Sequence, residues 1–420
     1  MGAFENTDVC PDEPTPVYVN HANTGIQDGN SWATAYTDLQ DGINKASDCL
    51  YSTDVWVAAG TYLPTDEFDA DGAGGSVVRE KTFYISKNVK IYGGFDGTET
   101  MLSQRDWVTN TTILSGDIDN TPNDNSGNAY HVMFIDGTTS NGNITPNDCI
   151  LDGFIVEKGN ASGSGENSNG GAIFQKGDGS GNECSVGIFN CSFSNNSAFR
   201  GGALFNSGDG GISSPQLTNC IFFNNTANFL GGALYNGGNS GTSSPQLTNC
   251  TFYNNTANQG GALYNQENGG TSSPQLTNCI LWNNGDEIFN SNATTTLNYC
   301  LLDDGTIDGN VTYPSGVSGS NNIDADPLFV DAANGNLRLS NGSPAIDVGN
   351  NAASGLTGIT TDLDRNNRII DGTVDMGAFE SGCATSGLIV YVNHANNGTC
   401  LLYTSPSPRD ATLSRMPSSA

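Results

Sequence analysis

One motif returns four times in the middle of this 420-residue chain and limits what the chain can fold into. The copies read NCSFSNNSAFRGGALFN from Asn190, PQLTNCIFFNNTANFLGGALYN from Pro215, PQLTNCTFYNNTANQGGALYN from Pro245 and PQLTNCILWNNGDEIFN from Pro274. Their cysteines, Cys191, Cys220, Cys250 and Cys279, stand 29, 30 and 29 residues apart, and weaker copies surround Cys149 and Cys300. A fixed period of this length marks supersecondary units that stack on one another. Each copy holds runs of four to seven aromatic and β-compatible residues, such as LTNCIFF and GGALYN, bounded by Asn, Gly, Ser and Pro. No 3.6-residue periodicity accompanies them, which excludes helical repeats. Short strands returning in one direction at this period predict a parallel β-solenoid.

Side-chain parity sharpens the expectation. Cys220 and Phe222 alternate and belong on the inner face with Leu217, which sits three residues before Cys220. A one-residue bend restores the parity, and Asn219 is the candidate because Asn tolerates the left-handed conformation. The equivalent Asn190, Asn249 and Asn278 would form a ladder along the stack, and Gly-Gly at 201–202, 231–232 and 260–261 would supply the next corner. These residues resemble the right-handed parallel β-helix of the pectin-lyase-like superfamily. The repeats are also similar to those of chlamydial polymorphic outer-membrane proteins and related bacterial surface proteins. The fold class expected is therefore all-β, a right-handed parallel β-helix. SWATAYTDLQDGINKAS at 31–47 places Trp32, Tyr36, Leu39, Ile43 and Ala46 on one helical face and predicts a short N-terminal capping helix.

Six segments are read along the chain. MGAFE and VYVNHAN occur near the start and again at 376–380 and 390–396. Residues 1–16 thus read as the tail of a preceding unit and 382–399 as the head of a following one, with tandem copies in a longer chain. Residues 17–148 read as the cap and irregular early rungs, and 149–322 as the regular rungs. Residues 323–381 resemble the choice-of-anchor Q segment of secreted bacterial surface proteins. Residues 400–420 contain CLLYTSPSPRD and SRMPSSA, which read as translated sequencing-library adapter and are set aside.

The chain has 54 Gly and 53 Asn, 14 Lys+Arg against 44 Asp+Glu, and a formal net charge of −30. Phosphate neutralisation needs Lys and Arg, so a nucleic-acid partner is not expected. No apolar run approaches the ~18 residues of a membrane span. From Gly201 to Leu337 there is no Lys, Arg or His. The superfamily resemblance implies polysaccharide lyases with carboxylates, Ca²⁺ and a basic residue; these rungs lack the base and its electrostatic partner. Any such site would lie before residue 201, where basic residues such as Lys81, Lys87, Lys90, Arg105, Lys158, Lys176 and Arg200 occur; His131 reads as packed. For a glycoside hydrolase, Asp303, Asp304 and Asp308 are the candidate carboxylates, although a solvated turn explains them. No catalytic residue is assigned.

The ladder cysteines are expected as reduced, inward-facing side chains, because rungs ~4.8 Å apart exceed the ~3.8 Å between Cβ atoms that a disulfide prefers. Cys184 could instead bridge locally, and Cys10, Cys49 and Cys383 stay open. Asp362, Asp364 and Asn366 place oxygens at alternate positions, with Asp371 and Asp375 nearby, and form the candidate Ca²⁺ site. Phe223, Tyr253 and Trp282 form an outward aromatic row, the candidate glycan-stacking surface. The resulting expectation is a secreted or cell-surface, bacterial outer-membrane-associated scaffold for display or adhesion, with polysaccharide or cell-surface glycans as candidate partners. The competing expectation is a polysaccharide lyase or glycoside hydrolase.

Overall fold

The computed structural model describes residues 15–48, 54–68, 78–121, 124–138, 142–305 and 311–382. Cys10, Cys49, Cys383, Asp308, residues 1–14 and residues 383–420 lie outside them. Three parallel sheets run the length of the body. The first has ten strands from Val17–Val19 to Val317–Ser320, the second eight from Gly60–Tyr62 to Leu301–Leu302, and the third seven from Phe83–Ile85 to Ile288–Ser291. One complete rung runs Gln216–Thr218, Ile221–Phe223, Thr226–Leu230 and Leu234–Asn239 before Gln246–Thr248 begins the next. Thr226–Leu230 belongs to a small three-stranded sheet between the second and third. Successive strands of one sheet are joined only through the others, a crossover that takes the right hand. The chain is a right-handed parallel β-helix.

The corners follow from the residues that occupy them. Asn190, Asn219, Asn249 and Asn278 separate the first two sheets with φ between 49° and 56°. This single left-handed residue lets Leu217, Cys220 and Phe222 all face inward. A second set, Asn195, Asn224, Asn254 and Asn283, turns the chain out of the second sheet at φ 55–58°. At the third corner Gly201, Gly231 and Gly260 adopt φ 62–68°. The following glycines pack backbone on backbone: a Cβ on Gly202 would lie 2.2 Å from the Gly232 carbonyl oxygen.

Three columns fill the interior. Leu217, Leu247 and Leu276 stack from the first sheet, Phe222 and Phe252 from the second, and Leu204, Leu234 and Leu263 from the third, all at most 1% exposed. The inner rings of Phe193, Phe222 and Phe252 stack at 4.9 and 4.6 Å. Each such side chain contributes roughly 1.5–3 kcal/mol by burial. Cys149, Cys191, Cys220, Cys250, Cys279 and Cys300 are buried free thiols, and so is Cys184. Cys184 does not pair with Cys191; its thiol donates to the Ile135 carbonyl at 3.3 Å.

Three features were not expected. Asn196, Asn225, Asn255 and Asn284 form a buried amide ladder, each Nδ2 donating to the next Oδ1 at 2.8–3.0 Å. A parallel ladder runs through Gln175, Asn206, Asn236, Asn265 and Asn290 at 2.7–3.0 Å. On the outer side of the third sheet, Phe134, Phe174, Phe205, Tyr235, Tyr264 and Phe289 stack at 4.6–5.4 Å.

At the N-terminal end, helix α1 (Leu39–Asp48) buries Leu39, Ile43 and Ala46 against Val17, Val19 and Val55. It is shorter than the segment 31–47 suggested. Asp38 accepts from the Gln40 amide at 2.8 Å and starts the helix there. Trp32 lies in a preceding 3₁₀ turn and packs instead on Tyr18 and Phe95.

Residues 323–381 are not rungs. They form an antiparallel hairpin (Phe329–Asp331 with Asn336–Leu339) and loops laid across the corner between the first two sheets. The outward amides of the predicted ladder hold this strap. Asn219 Nδ2 donates to Asn190 Oδ1 at 3.0 Å and to the Thr361 carbonyl at 2.8 Å. Asn249 Nδ2 donates to the carbonyls of Asp375 and Gly377 at 2.9 and 3.1 Å. Gly377 N donates to the Asn278 carbonyl at 2.7 Å.

Candidate ligand-binding clefts

The predicted aromatic row lies under and beside the strap. Phe223 and Tyr253 stack at 6.1 Å, but Tyr253 meets Phe329 edge to face at 5.6 Å, and Phe223 lies beneath Gly335. The row is half-buried because its apolar rings form the floor on which the hairpin packs. A cleft of about 450 Å³ remains at its end, lined by Tyr253, Trp282, Asp326, Leu328, Phe329, Ala332 and Ser340. Three aromatic side chains, one carboxylate and two hydroxyls, those of Tyr253 and Ser340, are among its lining groups. This suits a small amphipathic ligand held by stacking and a few hydrogen bonds.

A smaller cleft of about 210 Å³ opens at the other edge of the strap. Trp107, Phe379, Thr112, Ser192, Arg338 and Asp364 are among its lining residues. Trp107 Nε1 donates to the Leu363 carbonyl at 2.9 Å, and Arg365 pairs with Asp106 at 2.6 Å. Arg338 grips Asp364 through Nε and Nη2, so the cleft's cation and carboxylate satisfy each other.

The four candidate calcium ligands do not converge. Asp362 is fully buried and accepts from the amides of Asn366 and Glu380 at 2.7 and 2.8 Å. Asn366 Nδ2 points its donor, not its oxygen, at Asp362. Asp364 is held by Arg338, and Asp371 is exposed at a left-handed turn. Among the described residues no group of three or more His, Cys, Asp or Glu side chains is arranged to hold a metal. What this region builds is a buried anchor. Arg368 is 2% exposed and pairs with Glu380 at 2.9 Å. It also donates to Asn219 Oδ1 and to the carbonyls of Asp375, Gly377 and Ala378 at 3.0–3.2 Å. Burial outweighs this pairing at Glu380, with Asp375 and Asp362 close by, and pushes its carboxyl up to about 8.

Four of the seven earlier cations are similarly engaged, and Arg200 lies over the Phe199 and Tyr235 rings. Arg105 is buried against Asp152, Lys158 pairs with Asp117, Lys176 with Glu166 and Lys87 with Asp48. His131 is packed between Phe134 and Phe174 with Nδ1 2.9 Å from the Gly170 carbonyl, and burial lowers its pKa to about 4. Asp303 and Asp304 bind turn amides of Gly305 and Thr312. Sequence reasoning missed Glu287, which closes the Asn196–Asn284 ladder. Its carboxylate accepts from Asn284 N and Nδ2 at 3.0 and 2.6 Å, and burial raises it to about 8. The departure of NNGDEIFN from the repeat was the available signal.

No protein-family model matches the chain, and no curated protein matches it. The resemblances of the repeats and of 323–381 therefore rest on the motifs quoted above. Among solved structures the chain is similar to the crystal structure of pectate lyase Pel9A, with 12% identity and a TM-score of 0.43, over 90% of this chain and 98% of that chain. The β-helix assignment rests on the strand pairing described above.

Proposed function

We propose that this chain is a secreted or cell-surface β-helix of bacterial type that serves in display and adhesion, with a glycan as its ligand at the Tyr253–Trp282 cleft. The observation carrying this reading is the supply of ionisable groups in the clefts. The Tyr253 cleft offers one carboxylate, and the Trp107 cleft offers one that Arg338 already holds. Glycoside hydrolysis uses two carboxyl groups about 5–9.5 Å apart, and β-elimination needs a basic group beside the sugar. Aromatic faces with one or two polar groups bind without cleaving. The strap also interrupts the outer face of the second sheet, where a long polymer would otherwise lie. No helix among the described residues is long and apolar enough to cross a membrane. Tandem repetition of the unit and the roles of segments 17–148, 149–322 and 323–381 are part of the same proposal.

The test incubates the purified chain with acidic and neutral polysaccharides, with Ca²⁺ and with chelator, following chain length, unsaturated products and retention. Retention without cleavage is the expected result, weakened by Tyr253→Ala in protein that still unfolds cooperatively, its melting temperature lowered by the packing that Tyr253 gives Phe329. Depolymerisation of any substrate would overturn it in favour of the enzyme.

A further inference from the structure

A second surface, on the far side of the second sheet from the strap, carries a feature that the repeat does not explain. In the small sheet, Ala198 pairs with Ala227 and Arg200 with Leu230. One residue, Phe199, therefore faces two, Asn228 and Phe229. This is a β-bulge, a device that re-aims a side chain. It brings Phe229 over Phe199, with ring centroids 5.4 Å apart and planes within 24°. Both rings remain about 40% exposed. The next repeat reads TANQG where this one reads TANFLG, so the ring pair is confined to two consecutive rungs and is not a product of duplication.

Beside these strands lies a groove of about 450 Å³ lined by Asn125, Asn160, Asn195, Asn196, Ser197, Ala198, Asn224, Thr226 and Asn228. Amides, hydroxyls and one methyl form its wall, and none of these side chains ionises. Ser197 and Thr226 are paired across adjacent rungs, and Asn228 follows two residues later on the same outward face as Thr226. Asn195, Asn224 and Asn228 present amide groups to solvent or partly so.

We infer that the Phe199–Phe229 pair and this amide groove form a binding site for a neutral glycan. Stacked phenyl rings offer a flat apolar face to the C–H side of a pyranose. Amides supply both a donor and an acceptor to neighbouring hydroxyls, as a diol requires. The groove wall itself has no counter-charge for a uronic acid; one cation, Arg200, lies over the Phe199 ring with its guanidinium 5.6 Å from the centroid, so the preference for a neutral ligand rests on the amide wall and on the chain's net charge of −30, which repels acidic polymers. The inference rests on the adhesion reading but names a different site and a ligand class.

Affinity electrophoresis of the full chain in gels containing galactomannan, dextran or xyloglucan, with alginate as the acidic control, tests it. The expected result is retardation in at least one neutral gel and none in alginate. Phe199→Ala/Phe229→Ala should weaken that binding at least tenfold, and Asn228→Ala severalfold; Asn228 is exposed, so its variant should melt as the wild type does, while the ring-pair variant, which loses a stacked contact, is run well below its own melting temperature. Tyr253→Ala, in the other proposed site, is run beside these variants in each gel. Loss of retardation in the Tyr253 variant but not in the Phe199 variant would overturn this site and leave the adhesion reading standing. Retardation in alginate alone would overturn the neutral-ligand assignment. No retardation in any neutral gel would overturn the site itself.

Discussion

Replacing Asn225 by Asp changes one atom of a fully buried side chain and should convert a pH-independent ladder into a pH-dependent one. Asn225 Oδ1 accepts from Asn196 N and Nδ2 at 3.1 and 3.0 Å. Its Nδ2 donates to the Phe193 carbonyl and to Asn255 Oδ1, both at 2.9 Å. Aspartate keeps the accepting oxygen but sets a second oxygen against two acceptors. As the neutral acid it can donate to one of them, losing one hydrogen bond and about 1–3 kcal/mol. As the anion it donates to neither and is buried without a cation. A buried carboxyl shifts upward by up to 3–5 units; at 1.36 kcal/mol per unit, a three-unit shift costs a further ~4 kcal/mol. A carboxyl whose folded pKa lies above its unfolded value has its full stability below the unfolded value, near 4, and loses it as pH rises through the folded value, near 7. Urea unfolding of wild type and Asn225→Asp at pH 4 and pH 8 reads the effect as a difference of differences. Asn225→Ala, which leaves Phe193 O and Asn196 N without their partner, should show a loss of the same size at both pH values. If the Asp variant differs from wild type by the same amount at both, within about 1 kcal/mol, the ladder does not have the hydrogen-bond polarity described.

Glu287 gives the same sign in the wild-type chain: burial raises it from 4.5 to about 8, so its contribution is full below pH 4.5 and declines through pH 8. Glu287→Gln should flatten the stability profile over that range, and an unchanged slope in urea titrations would reject the assignment. Arg368→Met removes the strap's buried cation and should cost about 3–5 kcal/mol, the range for breaking a buried pair; limited proteolysis should then cut within 323–381 before the rungs. Burial holds the thiols of Cys149, Cys191, Cys250 and Cys300 up, Cys149 at about 12. Iodoacetamide should leave Cys149, Cys184, Cys191, Cys220, Cys250, Cys279 and Cys300 unlabelled until urea is added, as mass spectrometry would show. Because Asp362, Asp364, Asn366 and Asp371 do not share one shell, melting should be equal in chelator and in millimolar Ca²⁺; a rise with Ca²⁺ would restore the metal site.

The repeat made the rungs legible. Cys220, Phe222 and the bend at Asn219 follow from side-chain parity, which is a local property of the strand. The aromatic row was legible as outward but not as covered, because the hairpin at 329–339 is more than forty residues from Trp282 in sequence and carries no repeat signal. The calcium reading failed to assemble for a related reason. Alternating oxygens in DLDRN say nothing of Arg338, whose grip on Asp364 is set by the fold. The Phe199–Phe229 pair escaped notice because the extra residue of the bulge looks, in sequence, like a one-residue length variation between otherwise equivalent copies.

A stack of like parts has no natural length, and the duplicated repeats could be added or removed in whole rungs while every ladder and column stayed continuous. The strap removes that freedom. It is tied to one rung region by Trp107 with Leu363 and Asp106 with Arg365, and to a later one by Asn278 with Asn350 and Gly377. One additional rung would move these moorings ~4.8 Å apart, beyond the reach of a hydrogen bond. The segment therefore acts as a gauge: copies that are interchangeable in kind are fixed in number, and so is the spacing between the two clefts at its edges.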